Sequence, residues 1–269
     1  MLRVAVAGAS GRMGRMLIEQ VLAAPDLQLV AALVPAGNAL IGSDAAAFLG
    51  RECGVAIGAD QGSPLADAQV LIDFTRVSGT LAHLPMCQAA GCALVAGTTG
   101  FSADEMAQLK SAAQTLPLLW APNTSLGVNI VMQLLAQAAQ RLGPAYDVEI
   151  VEAHHRHKVD PPSGTALQMG EVIAAARGQA FSEVATLSRE GHTGPRESGR
   201  IGFATVRGGD IVGDHQVMFC GDGERIEIAH RSSSRLHYAQ GALAAARFLA
   251  GRPAGLYRMA DVVAGLGGG

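Results

Sequence analysis

The opening of the chain limits what it can fold into more than any other stretch. Leu2 to Ala7 is apolar except for Arg3, stops at Gly8-Ala9-Ser10-Gly11-Arg12-Met13-Gly14, and is followed from Arg15 to Ala24 by apolar positions at helical spacing. An apolar strand that runs through a glycine turn into a helix is how a parallel βαβ unit begins, with both faces of its sheet covered. The pattern repeats through the first half. Strands are expected at 27–34, 70–74, 94–96 and 118–121, and helices at 80–90 and 103–115. The spacing predicts an α/β protein whose first domain is a Rossmann-like dinucleotide-binding domain.

Such sheets bind ligands at the carboxyl ends of their strands. Gly8-x-x-Gly11-x-x-Gly14 is a spacing variant of the dinucleotide fingerprint: its glycines would allow the tight turn, let backbone approach a pyrophosphate, and pack helix on strand. The polar turns Thr75-Arg76, Gly97-Thr98-Thr99-Gly100 and Pro122-Asn123-Thr124-Ser125 also follow strands and should gather at the same edge. One part of the fingerprint is missing. An acid at the end of the second strand should meet the ribose of NAD, or an arginine nearby the 2′-phosphate of NADP, but here that strand ends in Leu33-Val34-Pro35. Arg12, inside the glycine loop, is the remaining candidate for a 2′-phosphate contact.

Composition narrows the partners. With 49% hydrophobic residues, 4% aromatics and 34 glycines, the chain suits an Ala/Val/Gly-rich α/β fold and not a disordered one. A net charge of −3 argues against bulk nucleic-acid binding, and no apolar run reaches the length of a membrane span. Cys53, Cys87, Cys92 and Cys220 are scattered, and read as reduced, mostly buried thiols of a cytoplasmic protein.

After Ser125 the texture changes. A long amphipathic helix is expected at 126–142 and a strand at 146–153. A helix capped by Ser163 should run to about Arg177, with strands at 184–189, 201–206, 215–220 and 224–230. The last three strands have no helix between them, so a second α+β domain on an open, mixed or antiparallel sheet is expected. The helix at 236–250 should return to the first domain, which gives a dinucleotide-binding domain of residues 1–125 plus 235–269. Residues 126–234 then form a substrate-binding and oligomerisation domain. The terminal Gly267-Gly268-Gly269 reads as a disordered tail.

The densest chemistry lies in Glu152-Ala-His154-His155-Arg156-His157-Lys158-Val-Asp160-Pro-Pro-Ser163-Gly164-Thr165. So many cations in a mildly acidic chain imply a small polyanion, and a helix starting at Ser163 would aim its first amides at a carboxylate or phosphate. Histidine and lysine can also exchange protons there. A solvated basic loop is the bland alternative. A zinc site is disfavoured, because adjacent histidines of an extended segment point to opposite faces and no His-x-x-x-His or CxxC completes the set.

With those residues in view, the whole chain resembles the 4-hydroxy-tetrahydrodipicolinate reductase (dihydrodipicolinate reductase) family of lysine and diaminopimelate biosynthesis. The resemblance rests on residues 6–14 (VAGASGRMG), 72–76 (IDFTR), 97–101 (GTTGF), 152–160 (EAHHRHKVD), 162–166 (PSGTA), 188–192 (SREGH) and 201–207 (IGFATVR). It implies that Gly8, Ala9, Ser10, Gly11, Arg12 and Met13 bind the cofactor pyrophosphate, NADPH or NADH. Gly97, Thr98 and Thr99, with Ala121, Pro122, Asn123 and Thr124, would lie near the nicotinamide. It implies that His154 is the acid/base residue, Lys158 the proton donor, and that His155, Gly164 and Thr165 hold a small dicarboxylate substrate, in a homotetramer. Lys158, crowded by cations, would donate readily. The family's acid and arginine at the end of the second strand are replaced by Val34 and Pro35, and Thr124 stands where some members carry an aromatic. A dinucleotide-binding regulator without turnover is the rival reading; it would keep the loop and need no His154/Lys158 pair.

Overall fold

The computed structural model describes residues 1–62 and 64–266, and they divide into two compact units: 1–126 with 236–266, and 127–235. The Gly267–Gly269 tail lies outside the described residues.

The first unit runs β1 (Leu2–Ala7), α1 (Arg12–Ala23), β2 (Leu27–Val34), β3 (Ile57–Ala59), β4 (Val70–Asp73), α2 (Val77–Ala90), β5 (Ala93–Ala96), α3 (Ala103–Ala112) and β6 (Pro117–Trp120). The second unit supplies α4 (Leu126–Leu142, whose first residue still belongs to the first unit), β7 (Asp147–His154), α5 (Gly164–Ala176), α6 (Phe181–Val184), β8 (Ala185–Thr186), β9 (Ile201–Arg207), β10 (Gly213–Gly221) and β11 (Glu224–Ser232). The chain then returns to the first unit with α7 (Leu236–Leu249), β12 (Gly255–Tyr257) and α8 (Met259–Leu266).

In the first unit seven strands lie in the order β12-β6-β5-β4-β1-β2-β3, every neighbouring pair parallel. Alternation along β1 explains the layers. Val4 and Val6 enter a cluster with Leu17, Ile18 and Val21 of α1, the alanines of α7, and Met259 and Val262 of α8. Ala5 and Ala7 face Leu84 and Cys87 of α2 and Leu109 of α3. A strand buried on both sides cannot carry polar residues in its interior, which is why these strands read as apolar runs. Strand order reverses between β1 and β4, so the turns after these two strands open where doubly wound sheets hold ligands.

The second unit is a five-stranded sheet, β11-β10-β7-β9-β8, and it is mixed: β10 is antiparallel to β7 and β11, whereas β7 and β8 each pair parallel with β9. Val128, Val131 and Leu135 of α4 and Ala166, Met169 and Ile173 of α5 cover one face, packing on Val148, Ile150, Phe203, Val217 and Phe219.

Some boundaries differ from the pattern-based expectation. The strand expected at 184–189 is the last residue of α6 followed by a two-residue β8, and Leu187 is 49% exposed, so its apparent alternation faces no core. Helix α1 starts at Arg12, inside the glycine motif, which places Arg12 and Met13 in its first turn and not in a loop. The short strands β3 and β12 and the helix α8 carried too little periodicity to be foreseen. Of the four cysteines, all unpaired, only Cys87 and Cys92 are buried.

Candidate active site

In the first unit the glycine loop is built to receive an anion. Gly8 sits at φ +70°, a left-handed conformation that glycine adopts without strain. A Cβ on Gly14 would lie 2.0 Å from the Gly8 carbonyl oxygen, so the third glycine is what lets α1 begin against the turn. The helix has Gly11 at its N-cap, no side-chain cap and no acid in its first turn. By contrast α3 closes its own start with a Ser102–Glu105 capping box and carries Asp104 and Glu105 there. An uncapped, acid-free N-terminus after a glycine turn suits a pyrophosphate, so the residues present fit a dinucleotide.

Neighbouring turns are braced from below. The buried Asp73 carboxylate accepts from the Thr75 amide at 2.7 Å and pairs with His83 Nδ1 at 2.9 Å. Thr98 Oγ1 lies 2.7 Å from Thr80 Oγ1 and donates to the Thr75 carbonyl, while Trp120 Nε1 donates to the Thr98 carbonyl. Gly97 is partly exposed and Thr99 exposed, whereas the Thr98 side chain is committed to the scaffold. Ala121 is buried with its amide on the Ala96 carbonyl; Pro122 is exposed; the Asn123 side-chain Oδ1 accepts from Ser125 N. Thr124 is buried, and its hydroxyl donates to the Tyr238 carbonyl at 2.8 Å. Ala9 is buried, Met13 packs on the core, and Ser10 is partly exposed. Arg12 is exposed, but Val34 is only 1% exposed within the core cluster, so an acid there would be buried beneath the surface.

In the second unit the core face of the sheet turns ionisable at one end. Along β7 the buried positions are Val148, Ile150, Glu152 and His154. In register beside them stand His215 of β10 opposite Glu152, His230 of β11 opposite His215, and Arg207 of β9 opposite His154. The same period of two that fills the core therefore lines up the chemistry.

Glu152 is the hub. Its fully buried carboxylate accepts from both terminal nitrogens of Arg207 at 2.8 Å each, from His154 Nδ1 at 2.6 Å and from the Ser163 amide at 3.1 Å. Burial by itself raises its pKa, but the hydrogen bonds from Arg207 and His154 outweigh that and hold it below the ordinary carboxylate value. An ionised carboxylate only accepts, so His154 carries its proton on Nδ1 and leaves Nε2 for acid/base work. Burial pushes the His154 imidazole below its ordinary value, against the upward pull of Glu152.

The loop after β7 is pinned by the end of β9. Gly208 N donates to the His154 carbonyl, Arg156 N to the Gly209 carbonyl, and Arg207 to the Asp160 carbonyl. Lys158 is not crowded by cations alone, as its sequence neighbours suggested: its ammonium grips both oxygens of Asp160, at 2.7 and 2.8 Å. It lies within electrostatic reach of His154. His155 Nδ1 accepts from the His157 amide, which turns that edge of its ring toward its own loop. Ser163 caps α5 by accepting from Ala166 N, which puts Gly164 and Thr165 in the helix's first turn.

Arg207, His215 and Gly213 complete the cluster around Glu152 and Ser163, although residue type alone did not mark these three out. A cavity of about 700 Å³ elsewhere in this unit is lined by Arg189, Arg196 and Arg200, but these are committed to Glu149, Asp147 and Glu197 and leave little charge for a ligand.

Comparison with known proteins agrees with this architecture. The family described as "Dihydrodipicolinate reductase, N-terminus" matches residues 2–124, and "Dihydrodipicolinate reductase, C-terminus" matches residues 127–263. The chain is 56% identical over 262 residues to a protein of Polynucleobacter necessarius subsp. necessarius (strain STIR1) and 57% identical over 262 residues to one of Herminiimonas arsenicoxydans. Both are named 4-hydroxy-tetrahydrodipicolinate reductase, and each comparison covers 97% of this chain and 98% of the relative. Among solved structures, a dipicolinate-bound dihydrodipicolinate reductase from Paenisporosarcina sp. TG-14 superposes with a TM-score of 0.77 at 25% identity, covering 96% of this chain and 97% of that one. A probable dehydrogenase from Thermotoga maritima, 13% identical with a TM-score of 0.59 over 98% and 93% of the two chains, shares the fold. A dinucleotide loop, a buried carboxylate–imidazole hub and matches across both units lead to one conclusion: the chain belongs to the dihydrodipicolinate reductase family of NAD(P)H-dependent oxidoreductases.

Proposed function

We propose that the chain reduces 4-hydroxy-tetrahydrodipicolinate to tetrahydrodipicolinate with NADPH or NADH, in lysine and diaminopimelate biosynthesis, with His154 and Lys158 as the acid pair. The observation that carries the reading is His154, whose Nδ1 is fixed on Glu152 and whose Nε2 remains for proton transfer. In this reading Gly8 to Met13 hold the pyrophosphate, and residues 97–99 and 121–124 frame the nicotinamide, which supplies a hydride. The second unit holds the substrate: the Gly164 and Thr165 amides meet one carboxylate, and His155 and Lys158 the other.

The residues then have defined tasks. Loss of the 4-hydroxyl together with a hydrogen of the adjacent ring carbon, as water, would leave a carbon–carbon double bond conjugated with the ring imine; a hydride supplied at C4 would displace that bond's electron pair toward the imine, and the adjacent carbon would take up a proton as the imine is restored. His154 or Lys158 delivers that proton, and the neighbouring cations hold the dicarboxylate still while it is transferred. We infer further that the protein is cytoplasmic, which its unpaired cysteines support. We also infer a homotetramer built through the second unit's sheet. Val206, 47% exposed on the side opposite the core, supports that, and light scattering tests it.

The test of the activity is NAD(P)H oxidation with the cyclic substrate. His154→Gln and Lys158→Ala should each lower turnover by about 100-fold with cofactor affinity near normal, and the double variant should lose less than the product, because both act on one proton. Thr165→Val should raise the substrate KM more than the cofactor Kd. Unchanged turnover in either single variant would move the acid elsewhere.

A further inference from the structure

Beside His154 lies a second imidazole to which the proposed reaction gives no task. His215 is 6% exposed, stands opposite Glu152 in the β7–β10 register, and sets its ring edge against His154 at a centroid distance of 5.1 Å and an interplanar angle of 75°. Its Nε2 lies 2.9 Å from Ser163 Oγ. The contacts close a circuit: His154 to Glu152, Glu152 to the Ser163 amide, the Ser163 hydroxyl to His215, and the His215 ring back to His154.

We propose that His215 is a positioning residue that fixes the His154 ring and, through Ser163, locks it to the N-terminus of α5, so that the acid and the carboxylate-holding helix end behave as one body. The proposal rests on the reading of His154 as the acid. Two observations separate it from ordinary core packing. His215 Nδ1 is buried and finds no hydrogen-bond partner among the described residues, a cost that an aliphatic side chain would avoid. Ser163 Oγ already accepts from Ala166 N as the helix cap, so its contact with His215 couples the cap to the sheet instead of creating it.

The charge state suits the task. The groups around the ring are Glu152 and His154 on β7, Arg207 on β9 beyond them, His230 on β11 and Lys158 in the loop. Burial lowers the His215 pKa to about 4, and His154 adds to the effect, so near neutral pH the ring is uncharged and does not repel an imidazolium at His154.

The experiment compares His215→Leu, which removes the Ser163 contact at similar volume, with His215→Gln, which keeps a polar end for it; His154→Gln is run in parallel. Readouts are kcat, KM, the pH dependence of kcat/KM, the Kd of dipicolinate in the presence of NADPH, and Tm. We expect His215→Leu to lower kcat about 10-fold and weaken dipicolinate about 3- to 10-fold. The limb belonging to His154 should move upward by about 0.5 pH unit as water reaches the loosened ring, with Tm little changed near neutral pH. His215→Gln should recover most of the dipicolinate affinity but not the pH limb. If His215→Leu does not fold, His215→Gln decides alone, and a wild-type pH profile there overturns the proposal. Wild-type kcat and pH profile in His215→Leu, with turnover lost in His154→Gln, would overturn only the positioning role. Full turnover in His154→Gln would overturn the acid assignment and this proposal with it.

Discussion

Gly213 faces His154 so closely that a Cβ added to it would stand 3.1 Å from Nε2 and 3.4 Å from Cδ2 of the imidazole. Nε2 is the ring nitrogen that the Glu152 contact leaves open, and the proposed function gives it the proton transfer, so the glycine at the start of β10 determines how much room that edge of the ring has. The backbone there is ordinary strand, and an alanine fits it without conformational strain.

Gly213→Ala should therefore separate geometry from stability. We expect kcat to fall about 10-fold as the ring is displaced by a few tenths of an ångström, with little change in Tm or cofactor affinity. Steady-state kinetics beside a thermal melt checks this. Full activity in the folded variant would show that the Nε2 edge is not the one that works.

The buried histidines make stability depend on pH with a definite sign. Both His154 and His215 have folded-state values below the ordinary 6.5, His215 at about 4, so folding favours their neutral forms. That contribution is fully present above about pH 6.5 and is lost as pH falls toward 4; Glu152, held below its usual 4.5, adds a further loss at the acid end. His215 alone accounts for on the order of 3 kcal/mol at most. Tm should climb between pH 4 and 6.5 and level off above, and His215→Leu should flatten the climb. A wild-type Tm that is constant across that window would contradict these assignments.

We expect cofactor preference to turn on Arg12, because Val34, at the usual discriminating position, is buried. Arg12→Ala should lower kcat/KM for NADPH by roughly 10-fold and change NADH kinetics much less, since a 2′-phosphate is the group a guanidinium there would meet. Val34→Glu, the obvious way to install a ribose ligand, should instead destabilise the first unit by roughly 3 kcal/mol or more, because Val34 is a core residue. Equal losses with both cofactors in Arg12→Ala would reduce that arginine to a helix-start residue.

How much was legible beforehand follows from how local each signal is. β1, β2 and α4 were readable because an apolar run or a helical stripe is written within one segment. β3 and β12 are three residues each at the sheet's two edges, too short to carry a period. His154 and Lys158 stood out because ionisable residues crowd one stretch. The groups that hold Glu152 and seat the His154 ring did not, since Arg207 lies 55 residues from Glu152 and His215 lies 52 from Ser163. Only strand pairing brings them together. Val34 shows the converse: it stands in the chain where an acid was expected and missing, and only the structure shows that its side chain is buried in the core.

The alternation along β7 carries a consequence for the chain's history as well as its chemistry. Val148 and Ile150 occupy the same side of the strand as Glu152 and His154, so a slip of one residue against β10 would push the apolar pair into water and turn the hub away in a single step. Misregistered molecules would thus lose the core and the Glu152 hub together. Insertions or deletions within β7 should therefore be tolerated only in pairs, because only an even shift returns the apolar pair and the hub to the same side.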